Sequence, residues 1–240
     1  MRDVYLYGTI GNGSWYCDGN TSSWLLGQLR ECGGEDVTLH INSDGGDVFE
    51  AVAMQAAVRS HPGKVTAVVE GLAASAATVV MAAAEECSIV DGSMVMVHDP
   101  WSFVQGGADE MRSTADMLDK IRDSIADAYA RKTGMGRDEC AALMAEETWM
   151  SAEEAVAMGF CDRVDDSVTA VAMASRGAMA RYRRCPAGVV EGEPKAPGVP
   201  CEAGAKIPAA DSAGGTGAEA APVPAESAGV VVLGGSVYIV

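Results

Sequence analysis

Three stretches of this chain place reactive side chains where one element gives way to another. The first is Gly71-Leu72-Ala73-Ala74-Ser75-Ala76-Ala77-Thr78. Its serine falls where a strand hands over to a helix, among alanines that let other backbone approach closely. A hydroxyl there faces the free N–H groups and positive end of the helix. That setting suits a nucleophile whose oxyanion needs donors, with the Ala76 N–H the nearest. An ordinary N-cap serine answers the same description. The second stretch is Ser93-Met94-Val95-Met96-Val97-His98-Asp99-Pro100-Trp101, where a strand delivers a histidine just before a proline stops it. The chain has three histidines. His40 lies inside a strand and His61 precedes a proline, so His98 is the best-placed general base. A satisfied structural histidine would look the same in sequence. The third is Ile41-Asn42-Ser43-Asp44-Gly45-Gly46-Asp47-Val48. Paired glycines let a ligand approach the backbone, and the Gly46 N–H is a second candidate oxyanion donor. A plain turn is the alternative. A phosphate cradle is disfavoured, because no P-loop lysine follows.

A serine–histidine pair calls for an acid. Asp99 adjoins His98 and so leaves the strand on the opposite face. Glu146 and Glu147 precede Thr148-Trp149-Met150. The residues alone do not choose among the acids.

The elements that must position these groups alternate. Strands are expected at Asp3–Ile10, Asp36–Asn42, Lys64–Glu70, Ser88–Val90 and Met94–His98. Helices are expected at Asn20–Cys32, Asp47–Ser60, Ala74–Ala84, Ala108–Lys132, Arg137–Ala145 and Ala152–Met158. Gly134 and Gly159 are stops, and Ser151 with Glu154 forms a capping box. The alternation predicts an α/β fold with largely parallel strands.

The first 166 of 240 residues hold 11 Lys/Arg and 28 Asp/Glu, the whole of the net charge of −17. Such a surface disfavours nucleic acid and anionic membrane as partners. No apolar run reaches the length of a membrane span, and the start lacks a secretory signal pattern. Seven cysteines without a C-x-x-C pair read as free thiols in a reducing compartment. They do not combine with histidines at zinc spacing, so no metal is expected. Seven of the nine prolines follow residue 166, and Cys185 to Gly229 is Ala, Gly, Pro, Glu and Ser with almost no large apolar residue. Residues 167–240 therefore read as a flexible tail beyond a domain of residues 1–166. Arg176 to Arg184 reads as a short helix or as no element, and the apolar Val230–Val240 end as sticky chain or an added strand.

Taken together, these residues resemble the Clp protease proteolytic subunit family, and most closely its phage-type members, the head maturation proteases. The pattern runs through Asn42-Ser43-x-Gly45-Gly46, Gly71-x-Ala73-Ala74-Ser75, Met94-Val95-Met96-Val97-His98-x-Pro100 and Ser151-Ala152-x-Glu154-Ala155 to Gly159. The resemblance implies a ClpP/crotonase-like spiral of strand–strand–helix units with Ala108–Lys132 as a long handle helix. It implies an ATP-independent serine endopeptidase without a cofactor. Ser75 attacks, His98 moves the proton, and the N–H groups of Gly46 and Ala76 form the oxyanion hole. The family's acid is an aspartate, and Glu147 stands in its place, with Glu146 the fallback. Gly45, Asp47, Val48, Trp101 and Gly106 border an extended peptide substrate. Trp15, Trp24, Trp101 and Trp149 are read as packing residues. The implied partners are protein substrates such as scaffold, portal or capsid protein, and copies of this chain in a heptameric ring, single or doubled. The implied location is the bacterial host cytoplasm, or the prohead. Because the first strand starts near Asp3, a self-contained protease is favoured over one that docks an ATPase. Asp44 stands where the family has proline.

A catalytically inactive capsid-assembly protein on the same fold is the main alternative, and the Glu147 departure is its support. A crotonase-like acyl-CoA enzyme would need no serine–histidine pair. A Ser–Lys peptidase would have only Lys64 near Ser75 in sequence.

Overall fold

Strict alternation of apolar and polar residues lays down the centre of the sheet. In Val37–Ser43 every second side chain is buried, so Leu39 and Ile41 are fully enclosed while His40 points to the other face. Each such aliphatic side chain contributes about 1.5–3 kcal/mol by burial. The computed structural model describes residues 1–11, 19–169 and 182–186. In chain order the elements are β1 (Arg2–Tyr7), α1 (Ser22–Glu31), β2 (Val37–Ser43), α2 (Val48–Ser60), β3 (Val65–Ala74), α3 (Ala76–Met81), β4 (Glu86–Asp91), β5 (Met94–Val97), α4 (Ala108–Thr133), α5 (Arg137–Ala145), β6 (Thr148–Ser151), α6 (Ala152–Ala157) and β7 (Arg163–Thr169).

Strands β1-β2-β3-β4-β7 form a parallel sheet in that order. The fork in β3 matters most for function. Thr66–Val69 pairs with β4, whereas Leu72–Ala74 pairs with β5, and β5 in turn pairs antiparallel with β6. One strand thus serves two sheet segments, and the ends of β3, β5 and β6 converge. The register between β2 and β3 slips between Ile41 and Ser43. Asn42 covers the slip, its side-chain oxygen accepting from the Leu72 N–H at 3.2 Å.

Alanine propensity reads Ala74–Ala84 as helix, yet pairing with β5 claims residues up to Ala74 and the helix opens at Ala76. Tertiary pairing overrides a weak local preference here. The first strand stops at Tyr7, and Ile10 instead bridges to Asn20 and Gly46. Strands β6 and β7 were not expected. β7 carries the fold to Thr169, past the expected boundary at residue 166, and Tyr182–Pro186 packs back on the domain with no helix. The rest of the expected tail, Trp15, Cys17 and Cys201 lie outside the described residues.

Helix α4 ends as expected at Gly134, whose N–H makes the last helical bond to the Ala130 carbonyl and whose φ of 77° turns the chain out of the helix. Only its last third is buried, through Ile125, Ala126, Ala128 and Tyr129. The preceding turns project from the body and leave Met111 half exposed. Trp24 packs against the main core and Trp149 against a smaller cluster, while Trp101 is 37% exposed. Cys32, Cys87, Cys140 and Cys161 are buried free thiols. Among the described residues no helix is long and apolar enough to cross a membrane, and no group of three His, Cys, Asp or Glu side chains is arranged to hold a metal ion.

Candidate active site

The end of β3 turns sharply at Ser75, with φ 55° and ψ −123°, before α3 begins. Only glycine adopts such backbone freely, and holding a serine there costs on the order of 1–3 kcal/mol. Among the described residues two non-glycine residues have positive φ, Ser75 and Glu147. Ser75 occupies the N-cap position of α3 but makes no side-chain cap bond. Its Oγ lies instead 2.7 Å from His98 Nε2. An N-cap serine would spend its oxygen on the helix N–H groups; this one is turned to an imidazole.

The turn is pinned from three sides. The Ser75 N–H donates to the Met96 carbonyl at 2.9 Å, tying it to β5. Its carbonyl accepts from the Thr78 hydroxyl, whose Oγ1 lies 2.6 Å from the Tyr129 hydroxyl on α4. Thr78 has one hydroxyl proton and a carbonyl can only accept, so Tyr129 is the donor of the second bond. Burial pushes the Tyr129 phenol up, which keeps it protonated for that task. Replacing Tyr129 with phenylalanine leaves Thr78 short of a partner. The expected cost is about 1–3 kcal/mol in denaturant unfolding, with the site's reactivity changed less than tenfold, since the Thr78–Ser75 bond remains.

The double glycine packs directly on this turn. A Cβ on Gly45 would lie 2.8 Å from the Ala74 carbonyl oxygen, 2.8 Å from Ser75 Cβ and 3.0 Å from the Ala76 nitrogen. A Cβ on Gly46 would meet the Ile10 carbonyl oxygen at 2.0 Å. The loop is sandwiched: the Ile10 N–H donates to the Gly45 carbonyl and the Asp47 N–H to the Ile10 carbonyl, at 2.7 and 3.0 Å. Gly45→Ala, at φ 92°, must push this loop off Ser75 and displace the Gly46 N–H. We expect reactivity of the site to fall about 10²–10³-fold, the usual cost of an oxyanion donor, read from the rate of serine acylation beside a thermal unfolding curve.

His98 follows β5, and Glu147 stands at the entry to β6 with φ 50°. The Glu147 carboxylate accepts from the backbone N–H of Arg184 at 2.6 Å and of Arg183 at 2.8 Å, and from Trp149 Nε1 at 3.2 Å. Burial pushes this carboxyl up, but those three donors and the nearby His98 more than offset it, leaving it below its ordinary value. Glu146 takes a different partner, the Arg184 guanidinium at 2.7 Å, in an exposed pair. Asp99 donates its N–H to the Met144 carbonyl, and burial raises its carboxyl.

A groove of about 630 Å³ opens beside His98, lined also by Trp101, Glu147, Arg183 and Arg184. Trp101 therefore borders the site, and Gly106 lies in the exposed loop before α4. Asp47 and Val48 do not offer side chains to a ligand. Asp47 caps α2 by accepting from the Phe49 and Glu50 N–H groups, and Val48 is in the core. Any contribution they make to binding is through backbone.

The sequence reading missed Asn42's role in the β3 fork, the Thr78–Tyr129 relay and the Tyr182–Arg184 segment. The relay had a signal: Thr78 is three residues past Ser75, and Tyr129 is the one aromatic residue of α4. The segment had none beyond one tyrosine in a basic run.

Comparison with known proteins gives a consistent picture. The family model described as Clp protease matches residues 23–168. Two relatives from Bacteroides fragilis strains, both named ATP-dependent Clp protease proteolytic subunit, are 30% identical over 133 residues, 55% of this chain. The alignments span 64% and 60% of those relatives, so less than two thirds of their length is matched. A solved structure of a ClpP1 mutant from Listeria monocytogenes superposes with a TM-score of 0.59 at 21% identity, covering 74% of this chain and 94% of that one. The fold is thus ClpP-like.

Proposed function

The chain belongs to the Clp protease family, and from that premise we propose that it is a serine endopeptidase whose nucleophile is Ser75. The observation that carries this reading is the 2.7 Å contact between Ser75 Oγ and His98 Nε2, made by a serine that declines its capping bond. In the proposed reaction His98 Nε2 takes the Ser75 proton as Oγ adds to a peptide carbonyl. The N–H groups of Ala76 and Gly46 receive the developing oxyanion. The imidazolium then returns the proton to the leaving amine, and water repeats the sequence to free the acyl group. Glu147 holds the imidazole and stabilises its charged form. A peptide lying extended beside Gly45 and Gly46 would place its carbonyl at this point.

The finer reading is a phage-type maturation protease acting on scaffold, portal or capsid protein in the host cytoplasm or prohead. The long α4 supports it together with the sequence motifs. A ring of copies is supported by the exposed first turns of α4 and by Met111 on them.

The test is labelling of the full chain with a fluorophosphonate probe, read by intact mass, alongside digestion of an unfolded protein such as casein. Stoichiometric labelling with cleavage is expected. A folded chain that neither labels nor cleaves would overturn the enzyme reading in favour of an assembly protein on the same fold.

A further inference from the structure

The segment Tyr182–Arg184 reaches His98, Glu147 and the loop before Gly45, though it is 35 residues or more beyond Glu147 in sequence. Tyr182 is buried. Its ring meets His98 edge-on, with centroids 5.4 Å apart, and meets Trp149 at 5.6 Å. Its hydroxyl donates to the Asp44 carbonyl at 2.6 Å, immediately before Gly45. Beneath it lie Leu72, Ala74 and Met96. Ala74 precedes the nucleophile, Met96 is two residues before His98, and Trp149 is two after Glu147. The two residues after Tyr182 then give their backbone N–H groups to the two oxygens of Glu147, at 2.8 and 2.6 Å.

We propose that Tyr182–Arg184 is a positioning clamp for the His98–Glu147 half of the site, so that the protease is complete only with this piece of its own C-terminal chain docked. The inference rests on the serine peptidase reading. Glu147 is one methylene longer than aspartate and sits on strained backbone, so its carboxylate needs holding, and two main-chain donors at short distance hold it. The segment leaves the Ser75–His98 contact intact and the groove beside His98 open. A plug would be expected to close both.

Main-chain donors can be deleted one at a time. Arg184→Pro removes the 2.6 Å donor; Arg184→Ala keeps it and removes only the guanidinium bonded to Glu146. The readout is the rate of fluorophosphonate capture by the full chain across pH, with the unfolding temperature measured in parallel. Arg184→Ala sets the reference for losing the side chain alone, the main-chain donor being kept. Arg184→Pro is expected to be about 10²-fold slower, the cost of a misplaced catalytic group, with its pH midpoint moved to lower pH. The sign follows because a fixed carboxylate stabilises the imidazolium, and loosening it lets the imidazole deprotonate at lower pH. Arg183→Pro repeats the test on the second donor. If either proline prevents folding, Tyr182→Ala with the same midpoint shift takes its place. Capture by Arg184→Pro as fast as the parent, or faster, overturns the clamp, the second outcome marking a plug. Equal losses in Arg184→Ala and Arg184→Pro overturn it too. A parent chain that does not label at all defeats the peptidase reading and not the clamp alone.

Discussion

Exchanging Ser75 for alanine is expected to lower peptide hydrolysis about 10⁶-fold and to abolish fluorophosphonate labelling while leaving the fold intact. The magnitude is that of losing a triad serine elsewhere, because no other group on the turn can form the acyl intermediate. The fold should survive because Oγ makes no capping bond, and the main-chain contacts of Ser75 to Met96 and Thr78 do not involve its side chain. Alanine and serine bear the positive φ about equally badly, so the melting temperature should move little. A sharper form uses the double variant. If Ser75 and His98 act as one unit, Ser75→Ala with His98→Ala should be no slower than Ser75→Ala alone. Additive losses would mean that the 2.7 Å contact is not the operative one. Residual labelling of folded Ser75→Ala would place the reactive serine elsewhere.

What the sequence disclosed about this site, and what it hid, divides along a physical line. His98 stood out because one of only three histidines fell where a strand ends, and Ser75 because it fell among alanines at a strand-to-helix junction; those alanines are crowded for a reason now visible, since Gly45 lies against the Ser75 Cβ. The long α4 and its Gly134 stop were legible from helical spacing and from the need for a left-handed residue. The capping box at Ser151 was legible and is present. The four residues of β6 were not, because a short strand with no turn signal before it is defined by its partner β5, not by its own pattern. Ala74 was misread because its helical propensity counts for less than its hydrogen bonds to β5. The Tyr182–Arg184 contact was invisible for a deeper reason. Its bonds to Glu147 come from backbone N–H groups, which almost every residue carries, so no side-chain type could announce them.

On the proposed mechanism, the departure at Glu147 is where that hidden contact bears on the chemistry. Glu147→Gln is expected to lower hydrolysis about 10⁴-fold, as removing the charge of a triad acid does. In this site the amide is worse than merely neutral. Oε1 accepts from Arg184 and Trp149, and Oε2 accepts from Arg183. Whichever way the glutamine turns, its NH₂ faces an N–H donor, so the substitution loosens the segment as well as the imidazole. Glu147→Asp keeps the charge but retreats from the main-chain donors. Its backbone tolerates the left-handed region better than most. It should lose activity yet stay about 10²-fold or more above the glutamine variant, since it can still orient the imidazole. Glu146→Gln supplies the contrast. Glu146 is exposed and tied to the Arg184 guanidinium, so its loss should change the rate less than about threefold, a surface pair contributing little. Steady-state cleavage by the three variants separates the possibilities. A glutamine at 147 as active as the parent, with a slow Glu146→Gln, would move the acid to residue 146. The short main-chain bonds to Glu147 argue for the opposite result: a carboxylate held by two amides and a tryptophan N–H stays ionised in one orientation, which is what an imidazole taking a proton from serine requires.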